Sequence, residues 1–261
     1  MSLLRLGFKF FVYRLQSFRL HGVHSPFVFD LYQHVIQHDG YYGAYKPIEK
    51  LRKELKQNHN KIEITDLGAG SKINPTYLRP ISELAKISAK PPKYAQLLFR
   101  LVNYFQPNQV LELGTSLGLT TAYLASARPK GTVYTFEGCP KIAQQAQVNF
   151  RKLKLSNINL ITGNIDQTLP AFLQDTGKVD FVYFDGNHRY EPTLRYFQLC
   201  LEKHTENTVF VFDDIYWSAE MEKAWKEICS HPAVTLSIDL FQLGLIFFRK
   251  AQPKQHFTLW Y

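Results

Sequence analysis

The stretch Val110 to Ala125, VLELGTSLGLTTAYLA, constrains this chain more than any other. A short apolar run ends in Glu112 and a glycine turn, then passes into a helix-like pattern, which reads as strand, tight loop and helix N-terminus. Gly114 and Gly118, with Thr115 and Ser116 between them, let the backbone turn sharply and approach a ligand. The helix that follows points its first N–H groups at the same place. A dinucleotide fingerprint needs G-x-G-x-x-G, and two of those glycines are missing; a Walker loop needs a lysine after the second glycine, and none follows Gly118. The Glu112 carboxylate repels phosphate and suits a ligand with an ammonium group or free hydroxyls.

From Tyr94 onward strand-like and helix-like segments alternate. The expected strands are Val110–Leu113, Thr132–Glu137, Ile158–Thr162, Asp180–Asp185, Val209–Asp213, Val234–Asp239 and Leu243–Arg249. Helices are expected over Thr120–Ala127, Lys141–Leu153, Gln167–Leu173 and Thr193–Glu202. Such interleaving implies right-handed crossovers and a parallel sheet covered on both faces. Only Leu240, Phe241 and Gln242 separate the last two strands, so that pair must be an antiparallel hairpin. The expected class is α/β: a doubly wound seven-stranded sheet, parallel except for an antiparallel last strand.

Ligands of such sheets sit at the carboxyl ends of the strands. The second strand ends in Glu137, where a carboxylate can accept both hydroxyls of a ribose. E-x-G-x-x-x-G at a strand-to-helix turn resembles the first motif of the class I S-adenosylmethionine-dependent methyltransferases, whose Rossmann-like sheet also ends in an antiparallel strand. The resemblance covers about Tyr94 to Lys250. It implies S-adenosylmethionine as cofactor, held by Glu112, Gly114, Thr115, Ser116, Gly118 and Glu137. After the third strand, Asn164 and Ile165 fall where family members pack adenine with one backbone contact and one polar side chain. Asp185 completes this set at the end of the fourth strand.

The fifth strand ends in Asp213-Asp214, and neighbouring strands lie about 4.8 Å apart, so three carboxylates converge on one edge of the cleft. Grouping them is costly without a cation, either the sulfonium of the donor or a divalent metal such as Mg²⁺ with oxygen ligands. The alternative, helix capping by Asp213-Asp214, is weakened because Ser218 directly precedes the helix-like SAEMEKAW. This arrangement resembles the metal-dependent O-methyltransferases of the catechol and macrolide-sugar types, which implies a metal held by Asp185, Asp213 and Asp214. His188, three positions after Asp185, matches the histidine of the sugar type, and Tyr190 and Glu191 continue the string D-G-x-H-x-Y-E. The resemblance implies His188 and Asp185 as catalytic, with His188 taking a hydroxyl proton near neutral pH. The other reading of His188 is a loop histidine bonded to backbone.

Cys139, Cys200 and Cys229 form no C-x-x-C pair, and no apolar run reaches the roughly 18 residues that cross a bilayer. A cytoplasmic setting is expected, with at most peripheral membrane contact. Residues 1–100 hold 16 Lys and Arg against 7 Asp and Glu, whereas residues 101–261 hold 15 of each. With the connector-like Lys90-Pro91-Pro92-Lys93, this asymmetry divides the chain into a basic N-terminal region, 1–93, and a methyltransferase-like domain, 94–261.

Leu3, Leu4, Phe8, Phe11, Val12, Leu15 and Phe18 follow helical spacing among Arg5, Lys9, Arg14 and Arg19. This helix can pack on the catalytic domain or on a second copy in a homodimer, lie on an anionic membrane, or contact nucleic acid; for the last it lacks an aromatic platform. A second glycine motif, Asp66-Leu67-Gly68-Ala69-Gly70, reads as a strand and turn, because Asn74-Pro75 interrupts any following helix. The function expected is methylation of a small-molecule, sugar or lipid hydroxyl. The alternatives are a non-catalytic cofactor-binding protein acting through its basic N-terminus, and an RNA methyltransferase.

Overall fold

The computed structural model describes residues 3–19, 24–65, 76–250 and 253–261. The helical spacing at the N-terminus becomes α1, Leu3–Gln16. Ser25, with Pro26 behind it, caps α2, Pro26–Leu31, which runs on into a π-helical turn at Tyr32–Ile36. Then come α3, Tyr45–Gln57; the antiparallel pair β1, Lys61–Thr65, and β2, Thr76–Pro80; α4, Ile81–Ile87; and α5, Pro92–Phe105. Asp66, Gly68 and Gly70 lie outside the described residues. The Lys90–Lys93 stretch, expected as a connector, leads directly into α5: Lys90 is buried and Pro92 is the first helical residue.

The alternating part follows the expected rhythm. It runs β3, Gln109–Leu113; α6, Leu119–Ala127; β4, Thr132–Glu137; α7, Pro140–Lys152; β5, Ile158–Thr162; and α8, Ile165–Asp175. After these come β6, Phe181–Phe184; α9, Tyr190–Leu201; β7, Val209–Asp213; α10, Ala219–Ser230; β8, Leu236–Asp239; and β9, Leu243–Phe247. One further strand, β10 at Gln255–Thr258, was not expected; it pairs parallel with β8, so Phe257 lies opposite Ile238.

The chain forms two compact units, one of Gly40–Asp175 and one of Met1–Asp39 with Thr176–Tyr261. In the first, β3, β4 and β5 are parallel neighbours, with Glu112 opposite Thr135 and Glu137 opposite Thr162. This register brings the ends of β3 and β4 to one edge. In the second, β6 and β7 are parallel, and β9 runs antiparallel to both β7 and β8. The three-residue connection at Leu240–Gln242 forces that reversal, as its length requires. FVYF of β6 and VFVFD of β7 are buried along their whole length, the pattern of strands covered on both faces. The structure is therefore α/β, mainly parallel, with an antiparallel strand at the expected place.

Within the second unit α1 is fastened from one side. Tyr13 is buried and its hydroxyl donates to the Leu259 carbonyl at 2.5 Å. Lys9 reaches Glu222 of α10 at 2.7 Å, and Arg5 reaches the same carboxylate at 3.4 Å.

Candidate functional site

Gly114 and Gly118 take φ values of 107° and 76°, a region that L side chains enter only with strain. A Cβ on Gly118 would also meet the Phe150 ring of α7 at 2.4 Å. Both glycines are thus required by the turn, and Gly118 also lets α6 start against α7. The turn is tied to the neighbouring strand through Gly114 and Thr115, whose amides both donate to the Phe136 carbonyl at 3.0 Å. Ser116 also has positive φ, 49°; its amide donates to Glu137 Oε2 at 2.8 Å and its hydroxyl meets that of Ser88 at 2.7 Å.

Glu137 therefore joins the glycine loop to the end of β4. Its other oxygen accepts from the Cys139 amide at 2.9 Å. Burial raises its pKa above the usual carboxylate value, opposed by the amides of Cys139, Ser116 and Gly138. A carboxylate offers about four lone-pair sites, so the bonds from Ser116 and Cys139 leave acceptor capacity for hydroxyls. That fits a ribose between loop and strand.

Glu112, expected to face the ligand, is wholly buried. Its carboxylate accepts from the hydroxyls of Thr121 and Thr135, and Thr135 is bonded in turn to Thr115 at 2.6 Å. These threonines carry no motif spacing; only the parallel register places Thr135 opposite Glu112. Asn164 holds the start of α8: its side-chain oxygen accepts from the Asp166 amide at 3.0 Å and its carbonyl from the Thr168 amide at 2.9 Å. This cap is why α8 begins at Ile165, two residues before the expected Gln167.

In the other unit, Asp185 follows β6 and lies 3.4 Å from His188 Nε2. Asp213 is the buried last residue of β7, opposite Leu243, and Asp214 takes φ 51° while its amide donates to the Gln242 carbonyl at 2.7 Å. Burial pulls the His188 pKa down, but the hydrogen bond that its N–H donates to Asp185 and the charges of Asp185, Asp213 and Asp214 prevail and hold it at about 9. The imidazole as placed is a cation at neutral pH, balancing the three acids, where the sequence led us to expect a base near neutrality. Among the described residues, no group of three or more His, Cys, Asp or Glu side chains gathers so as to hold a metal ion. Asp185 pairs with the imidazole, and Asp213 and Asp214 act on it through their charge.

A neighbouring residue escaped the sequence analysis. Asn187, at φ 54°, has a buried side-chain oxygen with no hydrogen-bond partner among the described residues. Leaving such an atom unsatisfied costs about 1–3 kcal/mol, which a donor arriving with a ligand would recover. The expected cap at Ser218 is present, accepting from the Met221 amide at 3.1 Å, so Asp213 and Asp214 are not needed to start α10.

Residues 111–215 match a family model described as a methyltransferase domain. The chain is 32% identical over 151 residues to a catechol O-methyltransferase of Niastella koreensis, covering 57% of this chain and 65% of that protein. It is 30% identical over 136 residues to a catechol O-methyltransferase of Mycobacterium tuberculosis, covering 51% and 60%. It thus spans just under two thirds of the length of these relatives. An O-methyltransferase from Bacillus cereus, solved in complex with SAH, shares the fold with a TM-score of 0.58 at 16% identity, over 83% of this chain and 94% of that one. Residues 111–215 are thus similar to a methyltransferase domain, and the chain shares its Rossmann-like fold with a solved O-methyltransferase.

Proposed function

We propose that the protein transfers a methyl group from S-adenosylmethionine to a hydroxyl of a small molecule. The observation that carries the acceptor side is the His188–Asp185 pair with the unpartnered buried oxygen of Asn187 beside it. The donor supplies an electrophilic methyl on a positively charged sulfur. Glu137 accepts the ribose hydroxyls, the amides of the Gly114–Gly118 turn shape the pocket, and Asn164 with Ile165 borders the adenine. Asn187 accepts a hydrogen bond from the acceptor. The neutral form of His188, a minority below the pKa of about 9 that the surrounding acids impose, takes the hydroxyl proton as the oxygen attacks, and Asp185 steadies the imidazolium that results. One C–O bond forms and one C–S bond breaks; the products are a methyl ether, S-adenosylhomocysteine and a proton on His188.

Divalent-metal assistance at Asp185, Asp213 and Asp214 is a further reading supported by their charge alone, and no step above is routed through it. Turnover restored by Mg²⁺ after EDTA treatment would support it. The free thiols of Cys139, Cys200 and Cys229 suit the same reading in a reducing cytoplasm.

The test is methyl transfer from labelled S-adenosylmethionine to a panel of hydroxyl acceptors that begins with catechol, alongside calorimetric titration with S-adenosylhomocysteine. Transfer that falls by about 10²–10⁴-fold in His188→Ala, with S-adenosylhomocysteine binding kept, is the expected result. Absence of both transfer and binding would overturn the proposal.

A further inference from the structure

We propose that the outward face of α1 is a contact surface for anionic lipid bilayers. Phe8, Phe11 and Leu15 are 66%, 60% and 70% exposed. Their spacing of three and four puts them on one side of the helix, while Tyr13 and Lys9 face the body of the unit and hold it there. The stripe is therefore a fixed feature of a tethered helix, and Phe18 continues it just beyond the last turn, also exposed. Contiguous large apolar side chains left in water on a fastened helix mark an interaction surface.

Charge decides which one. Between Leu3 and Arg19 the chain carries Arg5, Lys9, Arg14 and Arg19 and no acidic residue. At about 100° per residue, Arg5 and Arg14 fall roughly 90° to either side of the Phe8–Phe11–Leu15 stripe and flank it with positive charge. The Glu222 carboxylate is shared by Arg5, Lys9 and Lys226, so that group stays net positive. Arg14 and Arg19 both lie over the Trp260 ring, which adds an aromatic side chain of the kind enriched at membrane interfaces. Aromatic and leucine side chains on one face with cations at its flanks describe a helix lying in the plane of an anionic surface. A second copy of the chain is the weaker occupant, since it would bring two helices of like charge together over 14 residues, about two heptads, where paired helices need three or four. Among the described residues no helix is long and apolar enough to cross a membrane.

The test is co-sedimentation of the full chain with vesicles of equal parts phosphatidylserine and phosphatidylcholine, against phosphatidylcholine alone. Binding is expected to the anionic vesicles only, and to be lost at about 1 M salt, where the screening length shrinks to about 3 Å. Replacing both phenylalanines, Phe8→Ser with Phe11→Ser, should weaken it more than about tenfold, with the melting temperature and S-adenosylhomocysteine binding unchanged because both rings are exposed. No binding of the unaltered chain, or equal binding by the double variant, would overturn the proposal. So would a vesicle-free dimer that the same two substitutions dissolve, which would give the face to a second copy.

Discussion

The amide of Ser116 donates to Glu137 Oε2 at 2.8 Å, closing the glycine loop onto the end of the neighbouring strand. One carboxylate thereby positions the loop and, in the proposed function, accepts the ribose hydroxyls, so the two roles can be separated by substitution. Glu137→Gln keeps one oxygen for the Ser116 amide and should retain part of the affinity for S-adenosylhomocysteine. Glu137→Ala should lose more than about tenfold, or about 1.4 kcal/mol. Calorimetry on both variants checks the order; equal affinity in all three proteins would refute the assignment.

Gly118 tests the loop's backbone. Alanine there places a Cβ 2.4 Å from a ring carbon of Phe150 at a φ of 76°. Gly118→Ala should destabilise the protein by about 1–3 kcal/mol. Thermal melting reads this directly, and S-adenosylhomocysteine affinity should fall with it.

Asn187→Gly keeps the positive φ and removes the buried oxygen. A hydrogen bond of about 1 kcal/mol to the acceptor should disappear, so the KM for the acceptor should rise about fivefold while S-adenosylhomocysteine binding is unchanged. The melting temperature should hold or increase, since an unsatisfied atom has gone. A lower melting temperature with an unaltered KM would make Asn187 purely structural.

Acid should release α1. Partial burial opposes ionisation of Glu222, but hydrogen bonds from Lys9 and Lys226 outweigh it and hold the carboxyl at about 2, below its ordinary 4.5. A depressed carboxyl pKa stabilises the fold above the unfolded value and loses that contribution as pH falls through the folded one. The difference in melting temperature between the unaltered protein and Glu222→Gln should thus be largest above about pH 4.5 and shrink toward about pH 2. A difference that stays constant over that range would show that the ion pairs with Lys9 and Lys226 contribute nothing.

Metal removal should leave donor binding alone. The residues assigned to the donor loop and Glu137 are held by backbone amides, so EDTA should change S-adenosylhomocysteine affinity by less than about twofold. A larger loss would show that a cation belongs to the donor site itself.

The sequence by itself determined the alternation of strands and helices from β3 to β9, the antiparallel hairpin, the glycine turn and the cap at Ser218. Each is written in neighbouring residues: apolar runs of strand length, glycine where φ must be positive, a connection too short for a crossover. Tertiary structure alone decided what pairs across long separations. Burial and the β3–β4 register turned Glu112 inward to Thr121 and Thr135. The fold gathered Asp185, Asp213 and Asp214 around His188 strongly enough to hold its proton, reversing the charge state that an isolated histidine suggests. It also added β10 and joined Lys9 to a glutamate 213 positions away. Hydrogen-bond partners and electric fields depend on distance in space, and no local pattern of side chains encodes that distance.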